Sequence, residues 1–147
     1  MEKLIRLSWF FEHPVEKVWE YLTNPELIAR WLMENDLRPE AGCKFMFRTK
    51  GSMDMLFDGN VYCEVLEIIP FQSLVYSWKF GPGDGRIEVD SVVTWTLIPK
   101  DGGTELHLLH SGIDGERNSL AYQIMNTGWD KHVREQMGDL IRLTIHT

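Results

Sequence analysis

Basic clusters are what this sequence most plainly lacks. Its 15 Lys and Arg stand against 22 Asp and Glu, a formal net charge of −7, and no block of Lys or Arg is longer than a pair. Nucleic-acid binding needs a concentrated positive footprint, so that class is excluded, and anionic membrane surfaces are disfavoured for the same reason. Cysteine is almost as scarce. Cys43 and Cys63 are too few for a disulfide framework and too far apart for a paired metal knuckle, so both read as free, inward-facing, buried thiols. No apolar run approaches the roughly 18 residues of a membrane-spanning helix. Met1-Glu2-Lys3-Leu4 lacks the basic start, apolar stretch and cleavage site of a signal peptide, which makes cytoplasmic residence the expectation.

Several chemical motifs are missing too. No Gly-x-Ser-x-Gly elbow occurs, so nucleophilic catalysis has no support. Asp58, Asp84 and Asp90 do not have the spacing of a calcium loop. The glycines at 81, 83 and 85 are interrupted by Pro82 and followed by a strand pattern, which fits a mobile loop at a cavity mouth better than a phosphate cradle. His107 and His110 are three apart on a strand pattern and project to opposite faces, so they do not chelate. No metal and no cofactor are expected.

What is present is apolar bulk with clear periodicity. Of the 147 residues, 44% are hydrophobic and 12% aromatic, with six tryptophans, enough to fill the core of one continuous domain over residues 1–147. Residues 3 to 11 alternate, with Ile5, Leu7, Trp9 and Phe11 on one face, and predict a strand. His13-Pro14 and Asn24-Pro25 each place proline where a helix starts, ahead of Val15, Val18, Trp19 and Leu22 and of Leu27, Ile28, Trp31 and Leu32.

After Gly42 the period becomes two. It runs through Cys43, Phe45 and Phe47, then from about Phe57 to Ile69 with Asp58-Gly59 as a turn or bulge, and Pro70 ends it. Leu74 to Phe80, Val89 to Ile98 and Thr104 to Ser111 follow as antiparallel strands, the last two joined by an Asp101-Gly102-Gly103 hairpin. Glu88 and Asp90, alternating with Val89, are expected to face solvent. From about Asn118 to Ile145 the pattern predicts one long helix, whose apolar stripe carries Tyr122, Met125, Trp129, Val133, Gln136, Met137, Leu140 and Thr144. Leu120 and Ile124 miss that stripe, which predicts a late start or a bend near Gly128. The fold class is therefore α+β: about six antiparallel strands curved around a long C-terminal helix, with two short helices after the first strand.

This order of elements resembles the helix-grip fold of the START-like (SRPBCC) superfamily. Local stretches narrow the resemblance to the branch of the activator of heat shock protein 90 ATPase homologue. They are Pro14-Val15-Glu16-Lys17-Val18-Trp19 with Leu22-Thr23-Asn24-Pro25-Glu26, Trp31-Leu32, Gly42 and Val65-Leu66-Glu67-Ile68-Ile69-Pro70. Leu74-Val75-Tyr76-Ser77-Trp78, Val93-Thr94-Trp95-Thr96-Leu97, Gly103-Thr104-Glu105-Leu106, His110-Ser111-Gly112 and Gly128-Trp129 continue the series in order along nearly the whole chain. The resemblance implies a deep, largely apolar cavity between sheet and helix, used by relatives for lipids, sterols, polyketides and other hydrophobic molecules. Some relatives are cyclases or hydrolases. The branch's namesake is a co-chaperone in which a separate N-terminal domain does much of the chaperone binding.

The candidate ligand-binding residues are Trp31, Phe45, Phe47, Phe57, Tyr76, Trp78, Trp95, His110, Met125, Trp129, Val133 and Gln136. Each aromatic either fills the core or lines a cavity, and a flat ring with one polar handle suits both roles. Tyr76, Trp78, Trp95 and Trp129 are expected to share a pocket. His110 is the titrating group placed at the inner surface. It is either a satisfied strand-end histidine or a general acid or base. Gln136 either orients a ligand or bonds to the sheet.

Three functions follow. The first is a binder of a small hydrophobic, aromatic ligand, as a monomer or weak homodimer. The second is a cyclase- or hydrolase-like enzyme using His110, with Tyr76 or Gln136 orienting substrate. The third is a stress-related co-chaperone or interaction protein acting through its surface.

Overall fold

Residues 2–144 are described by the computed structural model. The first strand, β1 (Glu2–Phe11), buries Ile5 and Phe11 and turns Arg6, Ser8 and Phe10 outward. Helices α1 (Val15–Thr23) and α2 (Pro25–Trp31) come next. Asn24 serves both of them. Its backbone N–H closes α1 on the Glu20 carbonyl, while its side chain accepts from the Glu26 N–H at 3.0 Å and opens α2, with Pro25 supplying a first-turn residue that needs no donor.

Six strands complete the sheet: β2 (Glu34–Asn35), β3 (Lys44–Arg48), β4 (Asn60–Ile69), β5 (Ser73–Phe80), β6 (Val89–Lys100) and β7 (Gly103–Asp114). All pairs are antiparallel, in the order β1-β7-β6-β5-β4-β3-β2, so β1 is carried across to the far end and pairs with β7. The sheet thus has seven strands where about six are expected. The additional one, β2, is two residues pairing with Arg48 and Phe47, too short to leave a period in the sequence. At the predicted Asp58-Gly59 turn, Gly59 has φ +98°, and the Thr49 carbonyl occupies the space a Cβ would need.

The curved sheet closes over a helical segment made of α3 (Ser119–Asp130), a π-helical turn (Lys131–Met137) and α4 (Gly138–Thr144). Two expectations change here. The helix does not start late, since α3 begins at Ser119, and its irregularity lies just beyond Gly128, in the π turn. From Trp129 onward the buried positions are Trp129, Val133, Met137 and Ile141, each four residues from the last. Hydrogen bonds from i to i+5 widen the turn, so the inward stripe advances by four where an α-helix averages 3.6. Gln136 is rotated out by the same widening and is exposed, not inward as its α-helical phase predicts. Ile145 lies outside the described residues.

Glu88 also departs from expectation. Its side chain is 7% exposed, whereas Asp90 is exposed as strand parity predicts. Arg117 donates to Glu88 from Nε at 3.0 Å and Nη2 at 3.3 Å, and Asn118 donates from Nδ2 at 3.1 Å. The hydrogen bond from Arg117 holds the Glu88 carboxyl below its usual range. Strand parity cannot register a cover supplied by residues 29 and 30 positions later.

Candidate functional site

Alternation along β5 sends Tyr76, Trp78 and Phe80 to the inner face, opposite Val93, Ser91 and Val89 of β6. Helix α2 delivers Trp31, β3 delivers Phe45 and Phe47, and the C-terminal helix lowers Trp129 onto them. The rings meet at angles. Trp31 and Trp95 stand 6.2 Å apart between centroids, Trp95 and Trp129 5.5 Å, Trp78 and Trp129 5.1 Å, and Phe47 and Trp78 5.3 Å. Tilted and edge-on pairs place positive ring edges against negative faces, so the aromatics form one connected wall.

Most polar handles in this wall are satisfied internally. Trp31 Nε1 donates to the Tyr21 carbonyl at 2.8 Å, and Trp95 Nε1 to the Tyr76 hydroxyl at 3.0 Å. Burial pushes the Tyr76 phenol up, well above its ordinary range. The thiol of Cys63 is raised the same way and stays protonated. Trp78 is the exception: its Nε1 is buried with no acceptor among the described residues.

His110 sits in a chain of buried bonds. Trp129 Nε1 donates to His110 Nδ1 at 3.0 Å, and Ser91 Oγ, which donates to the Trp78 carbonyl at 2.8 Å, lies 2.8 Å from His110 Nε2. Because the Ser91 proton is committed to a carbonyl, Ser91 Oγ accepts from Nε2–H, which fixes the neutral tautomer. Burial lowers the His110 pKa to about 3. A neutral imidazole with both nitrogens engaged has no free lone pair or mobile proton for acid–base work near neutrality.

Beside this core a cleft of about 220 Å³ opens between sheet and helix. Trp78 and Phe80 line it from the sheet, together with Phe57, Thr49, Leu32 and Met33. Ile124, Met125, Gly128, Trp129 and His132 line it from the helix, and Ile124, 47% exposed, lies at its mouth.

Of the sequence candidates, Phe57, Trp78, Met125 and Trp129 line this cleft. Trp31, Phe45, Phe47, Tyr76, Trp95, His110 and Val133 are packed in the adjoining core. Tyr76 and Trp95 therefore do not share the pocket expected of them, because each fills the space the other would need to leave open. Gln136 is at the surface, where its Oε1 lies 3.2 Å from His132 Nδ1.

The cleft also holds residues the sequence reading missed. Phe80 shares Trp78's parity on β5, a signal that was available. His132 lies two turns after Met125, at the margin of the helical stripe. Leu32 belongs to the apolar set predicted for the second helix and stands at its C-cap, whereas Met33 and Thr49 lie outside the periodic strand and helix patterns, where sequence periodicity gives no direction. Among the described residues, no three His, Cys, Asp or Glu side chains converge so as to hold a metal ion.

A curved antiparallel sheet closed by a long helix, with an apolar cleft between them, defines a helix-grip domain of the START-like (SRPBCC) superfamily. The family model described as Activator of Hsp90 ATPase homolog 1-like protein matches residues 12–142, and the chain belongs to that family. Among solved structures it is similar to protein MLL2253 from Mesorhizobium loti, at 33% identity and a TM-score of 0.84 over 97% of this chain and 98% of that one. Protein BH1534 from Bacillus halodurans is 26% identical, with a TM-score of 0.71 over 89% and 91% of the two chains. CalU16 from Micromonospora echinospora is 25% identical, with a TM-score of 0.68 over 96% of this chain and 74% of that one. No curated protein matches the chain.

Proposed function

We propose that this protein binds a small aromatic molecule of one or two rings in the cleft between sheet and helix, without transforming it. The observation that carries the reading is Trp78, whose ring forms part of the cleft wall while its Nε1–H is buried without an acceptor. An unpaired buried donor costs about 1–3 kcal/mol. A ligand carbonyl, ether or hydroxyl oxygen beside Trp78 would recover that cost.

Size supports the same class. Benzene fills an engineered cavity of about 150 Å³, and 220 Å³ leaves room for little more than a second ring. A sterol or long-chain lipid would extend out of this space. Binding without turnover is supported at His110, whose two nitrogens are both committed within the core. The reading includes action in the cytoplasm as one ligand-binding domain.

A second reading, a protein partner, draws on Tyr62 and Leu66, apolar side chains 43% and 50% exposed on β4. Backbone amide shifts recorded during titration with naphthalene and 2-methoxynaphthalene separate the two. Saturable shifts around Trp78, Phe80 and residues 124–132, stronger for the ether, are expected. Absence of saturable shifts with both arenes would sink the cleft reading and leave the partner reading.

A further inference from the structure

His132 stands in the cleft wall with one ring nitrogen already assigned. Its Nδ1 is 3.0 Å from the Trp31 carbonyl oxygen and 3.2 Å from Gln136 Oε1. A carbonyl oxygen cannot donate, so the proton of the neutral ring is on Nδ1, and Nε2 carries the lone pair. No described residue bonds Nε2. A Cβ on Gly128 would stand 4.0 Å from His132 Cδ2, the ring carbon bonded to Nε2, and both residues line the cleft. The tautomer is thus set by the Trp31 carbonyl and Gln136, and the ring whose Nε2 lone pair it leaves free is one that lines the cleft.

We propose that His132 is a specificity-determining residue that selects arenes carrying an O–H or N–H donor, such as phenols, naphthols and indoles. The inference rests on the cleft reading above and adds the ligand's donor to it. Trp78 carries an unpaired donor and His132 an acceptor in a mostly apolar lining that also includes the Thr49 hydroxyl. A hydroxyl can satisfy either group, and a ligand with a donor satisfies the imidazole lone pair that an ether or bare hydrocarbon strands. Sites that leave a polar group unpaired with the wrong ligand discriminate strongly when enclosed, and less when partly wet. Half-buried His132 belongs to the second case.

The test is calorimetric titration of the wild-type chain with 2-naphthol, 2-methoxynaphthalene and naphthalene. The wild type is expected to bind 2-naphthol about tenfold more tightly than 2-methoxynaphthalene, and in His132→Phe that ratio is expected to fall to about one. Long-range ¹H–¹⁵N spectra of the wild type give a readout independent of whether the variant folds. They are expected to show the Nδ1–H form, with the His132 Nε2 resonance shifting on addition of 2-naphthol but not of 2-methoxynaphthalene. Equal affinities for the two ligands, or an Nε2–H tautomer, would overturn the donor selection while leaving the cleft reading intact. If none of the three arenes binds, both fall together.

Discussion

Acidification should expose the burial of His110 as a loss of stability. The ring is fully buried and held neutral, with its pKa lowered to about 3 against 6.5 for an unperturbed histidine. In the unfolded chain this side chain binds a proton as pH falls through 6.5, whereas in the folded chain it does not until about 3. The unfolded state therefore binds more protons in that window, so stability is fully present above the unfolded pKa and is lost as pH falls. One proton corresponds to about 1.4 kcal/mol per pH unit. From about pH 6.5 to about pH 4.5 the His110 contribution alone is about 2 kcal/mol, because the unfolded ring is only half protonated at the upper limit.

Urea unfolding of the wild type and of His110→Asn at matched pH values isolates it, because the other titrating groups are common to both chains. The wild type should lose about 2 kcal/mol more than the variant over that range. Direct ¹⁵N titration of His110 should show one neutral Nε2–H form throughout. A folded-state transition near pH 6, or parallel pH profiles for the two chains, would refute the argument that burial and the bonds to Ser91 and Trp129 hold the ring neutral.

Other expectations follow from the same geometry. Ser91→Ala strands His110 Nε2–H and removes a bond to the Trp78 carbonyl; denaturant unfolding should show a loss of about 1–3 kcal/mol. Trp129→Ala removes a nearly fully buried ring and the donor to His110. It should cost about 3–5 kcal/mol and abolish arene binding, with circular dichroism checking that the variant folds. Gln136→Ala should change stability by no more than about 0.5 kcal/mol, read by denaturant unfolding, since the residue is exposed and His132 Nδ1 keeps the Trp31 carbonyl as acceptor. Glu88→Gln should weaken the clasp on Arg117 and Asn118, read as faster amide exchange in the first turn of α3 and unchanged protection in β6.

Much of this architecture was legible because periodicity is a property of the chain. The alternation at Tyr76, Trp78 and Phe80 can bury one apolar face only as a strand, and the prolines at 14 and 25 mark helix starts that the backbone honours. The ordered local stretches carried the family resemblance through residues scattered along nearly the whole length, and the family match over residues 12–142 covers the same span.

Three features required the assembled structure. The π turn moved Gln136 outward and kept Val133, Met137 and Ile141 inward, because a widened helix changes its phase by hydrogen bonds that composition does not encode. The division of the aromatics into packed core and cleft wall depended on which rings face each other across elements: Tyr76 met Trp95 and filled the space, while Trp78 met the helix beside Gly128 and left an opening. His132 acquired an assigned tautomer from a carbonyl 101 residues earlier in the chain. Sequence determined which faces are apolar, since that follows from side-chain order along one element; tertiary structure decided where apolar surface is filled and where it stays open, since that depends on volumes meeting between elements.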